Sequence, residues 1–229
     1  MNAAETVERL IHKHQTSFFD ALDHCKLLGN IIPLNLGVTN PALPANGFNN
    51  AQELQQFIDT QLRENQAGYA FGGYLEQRNI YDRSEIFQQG EKRDIHLGVD
   101  VWAPAGTPIY NPIGGMVHST GYWPQAGNYG GTVIISYQLE ATTFYVLYGH
   151  LSKASAYALQ PGQYISRQAT IGQLGTETEN GDWPPHLHCQ LIADIGLMEG
   201  DYPGVCSQQT LAYYTANCAN AAPWLSITI

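Results

Sequence analysis

From about Tyr69 onward the apolar residues of this chain recur with period two, and glycines break the pattern into short runs. Successive side chains of a strand point to opposite faces, so this alternation dictates half-buried β-strands. Thr132-Val133-Ile134-Ile135-Ser136 and Phe144-Tyr145-Val146-Leu147-Tyr148 are strand-like, rich in β-branched and aromatic residues. Short strands parted by glycine turns imply an antiparallel β core. Before Tyr69 the period is helical. Val7, Leu10, Ile11, His14, Phe18, Leu22 and Cys25 recur at the spacing of a helix over residues 3–29, stopped by Gly29 and Asn30, with Pro33 barring a restart. A Pro/Asn/Gly-rich link over 30–49 leads to a second helix at about 50–67, with Leu54, Phe57, Ile58 and Leu62 on one face. The fold class is therefore α+β. An N-terminal helical extension covers 1–70, an antiparallel β-sheet core 71–195, and a C-terminal loop with a short helix, opened by Ser207, covers 196–229 and packs on the core.

The histidines carry the chemistry. In His186-Leu187-His188-Cys189-Gln190-Leu191-Ile192 the even positions are polar through Gln190 and the odd ones apolar. His186 and His188 thus share one strand face, while Leu187, Cys189 and Leu191 turn to the core, which removes Cys189 as a ligand. His96-Leu97-Gly98-Val99-Asp100 reads as a strand too, with His96 and Asp100 on one face and Gly98 leaving room for an ion. With His150 these segments gather four imidazoles and one carboxylate from a chain of eight histidines. The set fits a catalytic zinc site, which keeps one position open, with two imidazoles spare for proton work; a structural zinc site is usually closed by four ligands rich in cysteine. His118, in Met116-Val117-His118, reads as structural, and His12, His14 and His24 as solvated.

His96-x-x-x-Asp100 followed by His186-x-His188 resembles the lysostaphin/LytM type of zinc metallopeptidase. Pro104-Ala105-Gly106-Thr107-Pro108, Gly114-Gly115-Met116-Val117, Tyr148-Gly149-His150-Leu151-Ser152 and Ile171-Gly172-Gln173-Leu174-Gly175 resemble further segments of that family, in order, over about residues 94–193. The resemblance implies two sheets with zinc in a groove between them. It implies that His96, Asp100 and His188 hold Zn²⁺, that His150 and His186 handle protons, and that the substrate is peptidoglycan, cut as an endopeptidase at peptide cross-links. Two departures bear on substrate. Some relatives place a tyrosine six residues before the first histidine; here Gly90 stands there, with Tyr81, Arg83 or Arg93 as candidate stand-ins. The segment Glu177-Thr178-Glu179-Asn180-Gly181-Asp182-Trp183-Pro184-Pro185 is longer and more acidic than the common form. In some relatives an N-terminal segment also blocks the metal with a fourth ligand, a role open to Asn79 or another residue before His96. Phe71-Gly72-Gly73-Tyr74-Leu75 and Asp201-Tyr202-Pro203-Gly204-Val205-Cys206 resemble a subgroup fused to aminotransferase-type enzymes. Two other functions stand beside the wall hydrolase: an intracellular zinc hydrolase of a non-wall small-molecule amide, and a non-catalytic binding or regulatory module on the same fold.

Composition narrows the partners. The formal net charge is −10, with 10 Lys plus Arg, which argues against nucleic acid and anionic membranes. No apolar run is long enough to insert in a membrane. The N-terminus lacks the basic start and apolar stretch of a signal peptide, which points to the cytoplasm, or to the envelope if a leader has been removed. Cys25, Cys189, Cys206 and Cys218 are expected as free thiols, with a Cys206–Cys218 bridge as the alternative in an exported protein. The oligomeric state is not written in the sequence.

Overall fold

A computed structural model describes residues 1–22, 30–44 and 47–227. The first helix, α1 (Ala3–His14), starts on Asn2, whose side chain accepts from the Glu5 amide while the Glu5 carboxylate accepts from the Asn2 amide. That reciprocal pair satisfies two N–H groups that the first turn leaves open. The helix ends well before residue 29. A 3-10 turn follows at Gln15–Ser17, and Phe18 is extended. Phe18, Ala21 and Leu22 still reach the core, so irregular chain buries the apolar positions that helical spacing assigns to a helix. His24 and Cys25 lie outside the described residues.

The expected linker holds a strand, β1 (Asn30–Pro33). It is four residues long and ends in proline, too short to show alternation. After α2 (Ala51–Glu64) comes β2 (Ala67–Gly72), which pairs in parallel with β1 and antiparallel with a later strand. Two 3-10 turns, Asn79–Arg83 and Glu85–Phe87, then lead into the core.

The remaining strands are β3 (Ile95–His96), β4 (Val99–Trp102), β5 (Pro108–Tyr110), β6 (Gly115–Trp123), β7 (Gly130–Leu139) and β8 (Thr142–Leu151). After α3 (Lys153–Ala158) follow β9 (Tyr164–Ile165), β10 (Thr170–Gln173), β11 (His186–Ile192) and β12 (Val205–Cys206), then α4 (Leu211–Asn217) and β13 (Cys218–Ala219). One nine-stranded sheet runs β1-β2-β4-β11-β8-β7-β6-β9, with β13 against the end of β11. Its pairs are antiparallel except β1–β2. Two small sheets, β5–β10 and β3–β12, flank it. The groove expected between two sheets is thus formed by one large sheet and the short β3–β12 pair.

The strand β11 sits centrally, between β4 and β8, and is buried along its whole length. Leu187, Cys189 and Leu191 join the main core with Tyr137, Phe144, Tyr148 and Trp224. The Trp224 indole N–H donates to the Tyr148 hydroxyl at 2.9 Å, which meets the polar need of two large buried rings. A second cluster packs Leu34, Leu36, Leu54 and Ile58 against Trp102, Tyr81 and Trp183. Cys189, Cys206 and Cys218 are free, buried thiols, so the alternative bridge is not formed.

Candidate metal centre

The register of the sheet assembles the site. His188 on β11 lies directly opposite Asp100 on β4, and His186 opposite Trp102. On the other flank His188 faces Gly149, one residue before His150 on β8. His96 arrives from the small β3–β12 sheet. His96 and Asp100 therefore do not share one continuous strand; the chain changes sheets between them. Gly98 lies at this crossing. A Cβ there would lie 2.5 Å from His188 Cε1 and 2.8 Å from the Cys189 carbonyl oxygen. The glycine makes room for the His188 ring rather than for an ion.

Three atoms converge. His96 Nε2 lies 2.9 Å from His188 Nδ1. Asp100 Oδ1 lies 3.2 Å from the first and 3.1 Å from the second. All three residues are buried. The second nitrogen of each ring is tethered: His96 Nδ1–H donates to the Gly73 carbonyl at 2.9 Å, and His188 Nε2–H to Gln190 Oε1 at 3.0 Å. The Gln190 amide is oriented in turn by its Nε2, which donates to the Pro203 carbonyl at 3.1 Å. These tethers leave His96 Nε2 and His188 Nδ1 with lone pairs that face each other and a carboxylate oxygen. Such a set repels itself unless a cation sits among the three atoms. A tetrahedral zinc with ligand bonds of roughly 2.0–2.2 Å has ligand–ligand edges of about 3.3 Å, close to this triangle. Fixing the ring through its other N–H is what metal-binding histidines do. The donor set fits a zinc ion.

The other two imidazoles stand beside it. The His186 and His150 ring centroids are 4.1 Å apart, and His186 Nε2 is 3.9 Å from Asp100 Oδ1. His186 Nδ1–H donates to the Pro184 carbonyl at 2.7 Å and His150 Nδ1–H to the Asn180 carbonyl at 2.8 Å. Both Nε2 atoms remain as acceptors. His150 has φ 59°, a conformation that non-glycine residues seldom hold and that functional sites tolerate. Burial holds both rings below the ordinary imidazole pKa; for His150 the charges of His186 and His188 add to the effect. Both are neutral at pH 7. His96 is pushed down to about 4, by burial first and by the Arg78 charge second. Burial alone would raise Asp100, but the neighbouring His96 and the Arg78 guanidinium hold it well below the usual carboxylate range.

A cavity of about 360 Å³ opens over these groups. Leu36 and Leu54 from the N-terminal region wall it together with Tyr81, Phe87, Arg93 and Trp183. Of the candidate stand-ins for the absent tyrosine, Tyr81 and Arg93 line the cavity, whereas Arg83 lies over the Trp183 ring at 4.4 Å and donates to the Asp182 carbonyl at 2.5 Å. Gly90 has nothing within 4 Å of where its side chain would begin. Asn79 belongs to a separate pocket with Phe48 and Pro44. The acidic loop is a scaffold: the fully buried Asn180 side chain clasps the Trp183 backbone through both its amide groups, while its carbonyl holds His150. His118 hydrogen-bonds Ser119 and packs on Tyr145, away from the cavity. His12 is exposed, and His14 meets Glu140 at 3.1 Å. Two residues of the site escape a reading of the sequence by motif. Gln190 follows His188 by two on the same strand face, so parity alone marks it. Arg78, whose Nη1 donates to Asp100 Oδ2 at 2.6 Å, lies 22 residues away with no local signal.

Two antiparallel sheets that converge two imidazole lone pairs and a carboxylate, with two further neutral imidazoles alongside, form a site of the metallohydrolase class. Residues 94–198 match Peptidase family M23, and this segment of the chain is an M23 domain. The peptidoglycan DD-endopeptidase ShyA of Vibrio cholerae is 40% identical over 112 residues, which span 47% of this chain and 23% of that protein. The L-Ala–D-Glu endopeptidase of Bacillus subtilis is 29% identical over 115 residues, spanning 48% of this chain and 33% of that one. The chain thus covers a third or less of either relative's length. Among solved structures, the catalytic domain of lysostaphin from Staphylococcus simulans is 20% identical with a TM-score of 0.41, covering 70% of this chain and 96% of that one. A zinc-containing peptidase from Vibrio cholerae is 27% identical with a TM-score of 0.35, covering 43% and 27%.

Proposed function

We propose that this protein is a zinc-dependent endopeptidase that hydrolyses the peptide cross-links of peptidoglycan. The observation that carries the reading is the triangle of lone pairs at His96 Nε2, His188 Nδ1 and Asp100 Oδ1, placed beside two neutral imidazoles whose Nε2 atoms are free. The named activities of the relatives, both endopeptidases and one acting on peptidoglycan DD-linkages, supply the substrate. Zinc held by the three ligands supplies Lewis-acid polarisation of the scissile carbonyl and acidifies a water molecule. The chain supplies the proton chemistry. Carbonyls fix the Nδ1–H of His150 and of His186, so each ring presents a basic Nε2. One of the two takes the proton of the attacking water, and the pair returns a proton to the leaving amine as the C–N bond breaks. The Asn180 and Pro184 carbonyls stabilise either ring while it carries the extra charge.

The test combines metal content with muropeptide release. Protein purified and loaded with zinc is expected to retain about one ion per chain, the number of a mononuclear catalytic site. It is expected to release soluble muropeptides from purified sacculi, and to stop when a chelator removes the metal. Zinc binding without muropeptide release overturns the substrate; no zinc binding overturns the site.

A further inference from the structure

The outer contacts of the ligand set are of two kinds. Gly73 O and Gln190 Oε1 accept protons from the ligand rings and so strengthen them as donors. Arg78 does the opposite. It is 3% exposed, and its Nη1 donates to Asp100 Oδ2 at 2.6 Å, the oxygen turned away from His96 and His188. Its Nε donates to Glu76 Oε2 at 2.6 Å, and Nη1 also meets the Tyr81 hydroxyl at 3.4 Å. The carboxylate of Asp100 is thus shared, with one oxygen for the metal position and one for a permanent cation. Arg78 Nη2 is buried with no hydrogen-bond partner, so the guanidinium is held here with one of its own donors unsatisfied.

We propose that Arg78 is a positioning residue that restricts Asp100 to a single ligating oxygen and, by its charge, keeps the bound zinc under-neutralised. The inference rests on the zinc reading of the site. Its physical content is a competition. A guanidinium drawing on Asp100 Oδ2 weakens Oδ1 as a donor, and its charge repels the divalent ion across a short, poorly solvated distance. The metal is held less tightly and keeps more of its pull for the substrate carbonyl. Glu76 balances part of the arginine charge and sets how far the effect goes. Glu76 does not depend on Arg78 alone, since its Oε1 accepts from the Leu36 amide at 3.1 Å.

The two partners make opposite predictions, which a simple bracing role does not. Zinc affinity of the full chain is read by titrating metal-free protein against a chromophoric chelator, with thermal unfolding as the check on folding. Arg78→Met, isosteric in its stem and uncharged, is expected to bind zinc roughly tenfold or more tightly than wild type, because it removes a nearby positive charge. The zinc-loaded variant is expected to turn over more slowly. Arg78→Lys, which restores the charge, is expected to return affinity towards the wild-type value. Glu76→Gln, which unmasks the arginine charge, is expected to weaken zinc binding. Weaker or unchanged affinity in folded Arg78→Met makes the arginine a brace and overturns the proposal. Should Arg78→Met not fold, Glu76→Gln decides: unchanged or tighter binding overturns it. Wild-type protein that binds no zinc at all fails the underlying site instead, and is distinguished by being measured first.

Discussion

An imidazole has two nitrogens, and the backbone decides which one the site receives. His96, His150 and His186 each give Nδ1–H to a carbonyl, of Gly73, Asn180 and Pro184, and present Nε2. His188 is reversed. Its Nε2–H goes to the Gln190 side chain, and Nδ1 faces the centre. The difference follows from position: His188 sits in mid-strand with Gln190 two residues on along the same face, whereas the other three lie where a neighbouring loop turns a carbonyl towards the ring. The same geometry separates metal holders from proton carriers. Neither His150 nor His186 enters the triangle of converging atoms, and the 3.9 Å from His186 Nε2 to Asp100 Oδ1 leaves that ring beside the metal position rather than in it. His150→Ala and His186→Ala are therefore expected to keep about one zinc per chain and to lose turnover by roughly a hundred- to ten-thousandfold, the range for general acid–base groups. His188→Ala is expected to lose the metal. Elemental analysis beside a turnover assay checks all three. Metal loss in His186→Ala with retention in His188→Ala exchanges the two roles.

At the scale of elements, the centre depends on a chain that leaves one sheet and enters another within four residues. β3 ends at His96, β4 starts at Val99, and Gly98 lies under the His188 ring. A methyl at Gly98 has backbone on one side, the Cys189 carbonyl at 2.8 Å, and a doubly tethered ring on the other. Neither neighbour yields easily, so Gly98→Ala is expected to weaken zinc binding by well over tenfold while the variant remains folded, because the displaced ring is itself a ligand. Chelator competition and thermal unfolding together read this; unchanged affinity removes the close approach as the reason for the glycine. The example shows which elements a sequence reveals. The strand-like runs of β7 and β8 and the alternation of β11 are local patterns, legible in the sequence, the last with the correct faces. The break at Gly98 is not, because what excludes a side chain there is a ring 90 residues further on. The early end of α1 escapes for a related reason: Phe18 and Leu22 keep helical spacing, yet irregular chain buries them equally well. Arg78 finds Asp100 only once β2 has paired with β4.

The whole molecule places the N-terminal region inside the structure that holds the metal. β2 is the neighbour of β4, with Gly72 opposite Asp100, and Gly73 supplies the carbonyl that orients His96. β1 shields the outer edge of β2 through backbone pairing along its length. Val7, Leu10 and Ile11 of α1 belong to the same buried cluster as Trp224 and Leu191, and Leu54 and Ile58 of α2 pack in the cluster that contains Trp102 and Trp183. Leu36 and Leu54 do wall the cavity, so this region narrows access to the site. A detachable cover would leave an intact core behind it. Here removal of residues 1–66 strips two helices from buried apolar surface and turns β2, with Tyr69 and Phe71, into an unpaired edge. Burying one leucine or isoleucine side chain stabilises by on the order of 1.5–3 kcal/mol, which the fragment forgoes at several positions, and an exposed apolar edge strand favours aggregation. A fragment beginning at Ala67 is therefore expected to be poorly soluble or to unfold at least about 10 °C below the full chain, since a few kcal/mol moves the midpoint of a domain of this size by that much. It is expected to bind zinc more weakly, because Gly73 loses the strand order that aims its carbonyl at His96. Differential scanning calorimetry and zinc titration of the two forms decide the matter. A fragment that is as stable as the full chain, keeps its zinc and releases muropeptides faster shows instead that residues 1–66 act as a lid over a self-sufficient core.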